Sequence, residues 1–174
     1  MILLTGLALA GTRMNVATDV SPWFLDGHSV LLMVDAEPWR VSAELWGMDF
    51  PQRFVELNPA NAGEGWHRRV DLGMALYVDR HFFGDNAGWH AGLLFNGFRN
   101  TVQLQTEQAS FWSVEVLARG GYRWFPFEEG RLFLNPWFGA GPLLAVDEPS
   151  VSGERYDELP YQIIGTAHLG WRFR

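Results

Sequence analysis

Histidines, serines and carboxylates are the groups from which this 174-residue chain could build chemistry. Their spacing does not favour catalysis. His28-Ser29 is the only adjacent His–Ser pair. Neighbours on a strand point to opposite faces, which does not suit a base and its nucleophile. His168 has no Ser within two positions. His67, His81 and His90 have no His at i+2 or i+4, so no imidazole pair is set for a metal. Gly139-Ala140-Gly141 is strand glycine rather than a phosphate loop, because no helix follows. Zero Cys excludes thiolate metal sites, Cys nucleophiles and disulfides. The expectation is a protein that is not an enzyme and has no cofactor or metal.

Two sets of charges remain. The first shares one phase of alternating segments with small and polar residues: Arg13, Arg40, Glu44, Arg69, Asp71, Asp79, Glu115, Arg119, Arg123 and Arg172, with Asp35 beside them. Enclosed inside a fold, such charges persist only as hydrogen-bonded pairs. They are read as a structural network in a lumen, with Gly73, Gly92, Gly121 and Gly170 making room for long Arg side chains. The second set is a loop with Asp147, Glu148, Glu154, Asp157 and Glu158 against Arg155, five acids minus one base, or −4. It reads as a mobile, solvated loop that stands off the surface and offers an interaction site to divalent cations or a basic partner.

The elements that position these residues alternate with period 2. From Trp66, Val70, Leu72, Met74, Leu76 and Val78 lie on one face, with Arg69, Asp71, Gly73, Ala75, Tyr77 and Asp79 on the other. From Phe111, Trp112, Val114, Val116, Ala118, Gly120, Tyr122 and Trp124 oppose Ser113, Glu115, Leu117, Arg119 and Arg123. The segment from Tyr161 to Arg174 alternates in the same way, with Ile163 and Leu169 on its apolar face. Eight strands are expected, at about 12–20, 28–36, 39–50, 66–82, 88–100, 110–124, 132–145 and 160–173. Pro136 and Pro142 predict a late start or a bulge in the seventh, because proline cannot donate to a ladder. No stretch has a helical period. Residues 1–11 read either as the remnant of a secretory leader, with Ala8-Leu9-Ala10 as the cleavage motif, or as a lead-in to the first strand. Residues 12–174 form one domain.

Composition narrows the class. All 13 bases are Arg, and 13 minus 20 gives a net charge of −7. An acidic chain without a basic block is a poor nucleic-acid binder. A mean hydropathy of −0.06 and no long apolar run exclude a bundle of membrane helices but not a membrane β-barrel. The connections alternate: 37–38, 83–87 and 125–131 are short, whereas 21–27, 51–65, 101–108 and 146–159 are longer or more polar. Aromatics gather near the short turns: Trp39, Phe82, Phe83, Trp89, Tyr122, Trp124, Phe125, Phe127, Phe133, Trp171 and Phe173. That pattern matches an interfacial girdle.

On these features, from about Thr12 onward, the chain resembles the small outer-membrane barrels of the OmpA transmembrane-domain and OmpX type. The last strand, the strand count, the short–long rule and the charged polar face carry the resemblance. One departure is Arg174 after Phe173, where such chains usually end on the aromatic. The resemblance implies insertion in a bacterial outer membrane, with both termini in the periplasm and long loops outside the cell. The expected fold is an all-β, eight-stranded antiparallel up-and-down transmembrane β-barrel. Its expected partners are outer-membrane lipid and a protein at the loops or turns, with a plugged lumen and a role in envelope integrity, adhesion or docking. The alternatives are a narrow channel or carrier for small or apolar molecules, and a lipid A-modifying enzyme. The latter would need a His–Ser–acid cluster at the outer rim.

Overall fold

A computed structural model describes residues 12–127, 130–145 and 149–173. The two readings of residues 1–11 lie outside the described residues, as do Asp147, Glu148 and Arg174. The chain is all-β. Its long strands are β1 (Arg13–Asp19), β2 (His28–Ala36), β3 (Trp39–Phe50), β4 (His67–His81), β5 (Gly88–Leu104), β6 (Glu107–Arg123), β7 (Leu132–Ala145) and β10 (Tyr161–Arg172). They are antiparallel and follow up-and-down order, and β1 pairs with both β2 and β10, so the sheet closes into a ring. Closure removes the exposed strand edges that invite aggregation. A separate two-stranded hairpin, β8 (Ser150–Val151) with β9 (Glu154–Arg155), lies in the loop before β10.

Alternation sets the ring's two faces, and one extra residue shifts the phase. In β4 the register slips by one at Val70/Leu72 against β5, and opposite Trp46/Met48 against β3. The bulge places both Asp71 and Leu72 outward. Below it Gly73, Ala75, Tyr77, Asp79 and His81 point inward as expected. Above it the phase is reversed, so Arg68 and Val70 point inward and Arg69 points outward. A one-residue slip moves every later side chain to the other face. The expected lumen positions of Arg69 and Asp71, and the expected outward position of Val70, are thereby corrected.

The prolines of β7 produce neither a late start nor a bulge. The register of β7 with β6 is unchanged from Ala145 to Trp137, but the pairing lapses beside Pro142, opposite Val116 and Leu117. Gly141 sits in this gap, where a Cβ would lie 2.0 Å from the Val116 carbonyl oxygen. Only glycine lets the two backbones approach so closely.

Three connections form one end of the ring: 37–38, 82–87 and 124–131. The opposite end carries 20–27, 51–66 and 146–160. The connection expected at 101–108 is shorter than foreseen. β5 and β6 continue to Leu104 and Glu107, leaving a two-residue turn with Gln105 at φ 56°. Two single-turn helices escaped the periodicity. In α1 (Val20–Phe24) the Asp19 side chain accepts from the Ser21 amide, and Pro22 sits in the first turn, where its missing donor is not needed. The other is α2 (Gln52–Val55).

Candidate functional site: the ring interior

The inward residues stack in tiers. Nearest the short turns, Asp35 accepts from Arg123 at 2.9 Å and from Asn15 at 3.1 Å, with Arg172 at 3.4 Å. Arg123 also lies over the Phe133 ring, 3.9 Å from its centroid, and Arg172 over Phe125 at 4.1 Å. Phe125 and Phe133 therefore turn inward and leave the expected girdle. Guanidinium groups are weakly hydrated and stack well on aromatic faces, which suits them to this interior.

The middle tier centres on Asp79. Arg40 donates to it at 2.8 Å, Arg119 approaches at 3.3 Å and His90 at 3.6 Å. Arg119 packs against the rings of Tyr77 and Trp137, 4.5 and 4.3 Å from their centroids. Glu44 accepts from Ser29 at 2.5 Å and from the Tyr77 hydroxyl. Ser29 thus points inward, while its neighbour His28 is exposed.

In the upper tier Glu115 accepts from Asn96 at 2.8 Å, and Trp46 donates to the same asparagine at 3.2 Å. Arg68 donates to Asn100 at 3.0 Å and pairs with Glu158 at 2.6 Å. Above it the long-loop end is capped by buried Val55, Trp66, Val102, Leu104, Phe111, Val151 and Tyr156. Burial raises the Tyr156 phenol above its ordinary value.

Of the expected network, Arg40, Glu44, Asp79, Glu115, Arg119, Arg123 and Arg172 come together inside. Arg13 sits at the rim, bonded to Asp85 at 3.3 Å with both side chains partly exposed. Arg69 is 63% exposed and pairs outside with Asp49 at 3.5 Å. Asp71 accepts from Thr101 on the same outer face. The acidic loop does not stand off where it is described. The Glu158 side chain is 4% exposed, bonded to Arg68 and to Ser113. The Asp157 carbonyl accepts from Asn58 and Asn61, which pins the loop to 51–66. Glu154 is exposed, and the Asp157 side chain is partly so.

Arg68 was missed because it shares its sequence phase with Val70 and Leu72, and alternation gives no mark of the extra residue. The expected role of the inward glycines also changes. A Cβ at Gly73 would meet the Trp46 ring at 2.2 Å, and one at Gly170 would meet Phe133 at 2.2 Å. These two make room for aromatic rings rather than for Arg, whereas a Cβ at Gly92 or Gly121 would meet neighbouring backbone first, the carbonyl oxygens of Val78 and Pro136.

Outside the ring the polarity is inverted. Leu32, Leu45, Leu72, Met74, Leu76, Leu93, Phe95, Val114, Ile163 and Leu169 are all exposed, Ile163 by 72%. Trp39, Phe82, Phe83, Trp89, Trp124, Phe127 and Phe173 form an exposed aromatic ring by the short turns. Above Leu72 the outer face of β4–β6 turns polar, with Arg69, Asp71, Thr101 and Ser110 linked across strands. The class defined by fold and interior is a closed eight-stranded antiparallel sheet with charges within and large apolar side chains without. Comparison with family models, curated proteins and solved structures found no match in any of the three.

Proposed function

We propose that the chain is a transmembrane β-barrel of a bacterial outer membrane, plugged by its own side chains, with a structural or partner-docking role in the envelope. The observation that carries this is the inverted polarity. A hydrated protein rarely exposes a contiguous apolar patch beyond a few hundred Å2. Here exposed apolar side chains run round the ring while Arg40, Asp79, Arg119 and Arg123 are enclosed. A soluble ligand-binding barrel has the opposite arrangement.

The dimensions agree. From Trp171 to Tyr161 on β10, and from Trp89 to Arg99 on β5, the outer face runs over ten residue-to-residue steps. At about 3.3 Å per residue and a tilt near 40°, that is about 25 Å, the height of the lipid-facing band of such barrels. Aromatic or polar residues mark both limits. By the resemblance, the short turns face the periplasm and the capped end faces outward. Enclosed ion pairs and rings fill the interior, which supports a plug over a carrier.

Refolding from urea into phosphatidylcholine vesicles tests the proposal. The chain should float with the vesicles, migrate as a compact band before heating, and resist protease across its strands. A chain that folds and stays monomeric in detergent-free buffer, without binding vesicles, contradicts it.

A further inference from the structure

β1 closes the ring along only part of β10. The two strands pair from Asn15 with Arg172 to Asp19 with His168, and there β1 gives way to α1. β10 continues toward the long loops as far as Tyr161, paired along its other side with β7. β2 likewise continues past its last pair with β1, Leu31 with Ala17, to His28. A slot therefore lies beyond Asp19, between β10 and β2. It is as wide as the single strand that fills it below, about 10 Å between flanking strands. The short helix α1 packs at this slot, with Ser21 2.6 Å from Thr166 and with Trp23 and Phe24 exposed.

The β10 side of the slot is a bare strand edge. In an antiparallel ladder, successive residues turn their N–H and C=O groups to opposite sides. The Pro160 carbonyl accepts from Leu143 and the Arg172 amide donates to Arg131, so even-numbered residues of β10 bond toward β7. Phe173 donates to Met14, so odd-numbered residues turn toward β1. Gly165, Ile163 and Tyr161 thus direct their N–H and C=O groups into the slot, without a hydrogen-bond partner among the described residues. Exposure agrees. On the outer face of β10, Leu169 is flanked by β1 and is 44% exposed, whereas Ile163 and Tyr161 lack that neighbour and are 72% and 70% exposed.

We infer that the slot is a docking site for one extended segment of another protein, which inserts in line with β1 and pairs with β10. This rests on the reading of a transmembrane barrel. The lipid-facing band of β10 runs from Trp171 to Tyr161, so the bare edge lies within it, and hydrocarbon offers no water to satisfy its backbone. Donors and acceptors repeating at every second residue are matched by another extended backbone. β1 does not supply it. Its register, continued, would set Pro22 opposite Gly165, and proline has no N–H to give. α1 bonds within its own turn, where Leu25 and Gly27 both donate to the Pro22 carbonyl. A second copy does not fit either. Two barrels inserted the same way up are related by a twofold axis along the membrane normal, and edges tilted near 40° then cross at about 80°. The segment that fits is free of proline, apolar at alternate positions toward lipid, and small or polar toward Ser21 and Thr166. It enters from the long-loop end, where the slot is open.

The test uses the Cys-free chain with single Cys substitutions, refolded into phosphatidylcholine vesicles. The probe is a peptide of about eight alternating Thr and Val residues with one central Cys, and disulfide capture of the peptide is measured. Protease protection in the same vesicles reports separately on insertion, so failure of the barrel reading is recognised on its own. Ile163→Cys, beside the slot, should capture at least about tenfold more peptide than Leu93→Cys, an outward site on β5 with a strand on either side. Gly165→Pro removes a slot-facing N–H and no bond to β7, so added to Ile163→Cys it should leave the barrel folded and lower capture about tenfold. The same peptide with proline in place of each Thr should not be captured. An inserted barrel that captures equally at the two Cys sites overturns the inference. So does capture that survives Gly165→Pro, or capture of the proline peptide.

Discussion

Asp79 is the carboxylate on which the middle of the interior depends, because Arg40, Arg119 and His90 all approach it. Removing one partner of such a cluster leaves an uncompensated buried charge. Arg119→Ala is therefore expected to cost about 3–5 kcal/mol of folding stability, measured by urea titration in detergent micelles. Arg69→Ala should titrate like the wild type, because its ion pairs are solvent-exposed and weak. Equal midpoints for the two variants would refute the distinction between inside and outside. Both residues stand on the same polar phase in the sequence. Arg119 is inside because β6 alternates without interruption, and Arg69 is outside because of a residue inserted at 71–72. Composition marks neither the bulge nor the carboxylates that the guanidiniums find on other strands, since those partners lie 39 to 137 positions away. The stacking of Arg119 on Tyr77 and Trp137 is equally non-local.

Strands are the elements that period-2 alternation specifies well, and all eight fall where it puts them, β5 and β6 extending toward each other beyond expectation. What alternation does not carry is contact between backbones and the folding of loops. Gly92 allows close approach of β5 to β4: a Cβ there would lie 2.1 Å from the Val78 carbonyl oxygen and 2.6 Å from Asp79. Gly92→Val should sharply lower the yield of heat-modifiable folded protein, and an unaffected yield would contradict the close spacing of these strands. The loop before β10 lacks an apolar period, yet Val151 and Tyr156 anchor it in the apolar cap and Glu158 ties it to Arg68. Glu158→Gln should loosen it. With no Lys in the chain, trypsin cuts only after Arg, so Arg155 should become the earliest new cleavage site in that variant. Identical digestion of variant and wild type would show that the ion pair does not hold the loop.

At the scale of the whole molecule, the interior tiers and the apolar cap predict no steady conductance at neutral pH in planar bilayers, because eight strands enclose only enough space for the side chains present. Defined openings at that pH would favour the channel alternative. The charge of −7 and the absence of a basic block bear on partners only by exclusion, and no part of the sequence names a docking partner. The central claim is that the ring's apolar outside meets hydrocarbon and its charged inside does not. The chain has no Cys, so single nitroxide labels can be placed cleanly. Labels at Leu76, Val114 and Leu169 on the outer face, and at Ser42 and Ala75 on the inner face, in vesicle-reconstituted protein, measure this through electron spin relaxation by oxygen and by a water-soluble nickel chelate. The account predicts high oxygen and low nickel accessibility at the three outer sites, and low accessibility to both at the two inner sites. Outer sites open to nickel, with relaxation unchanged by the bilayer, would contradict it.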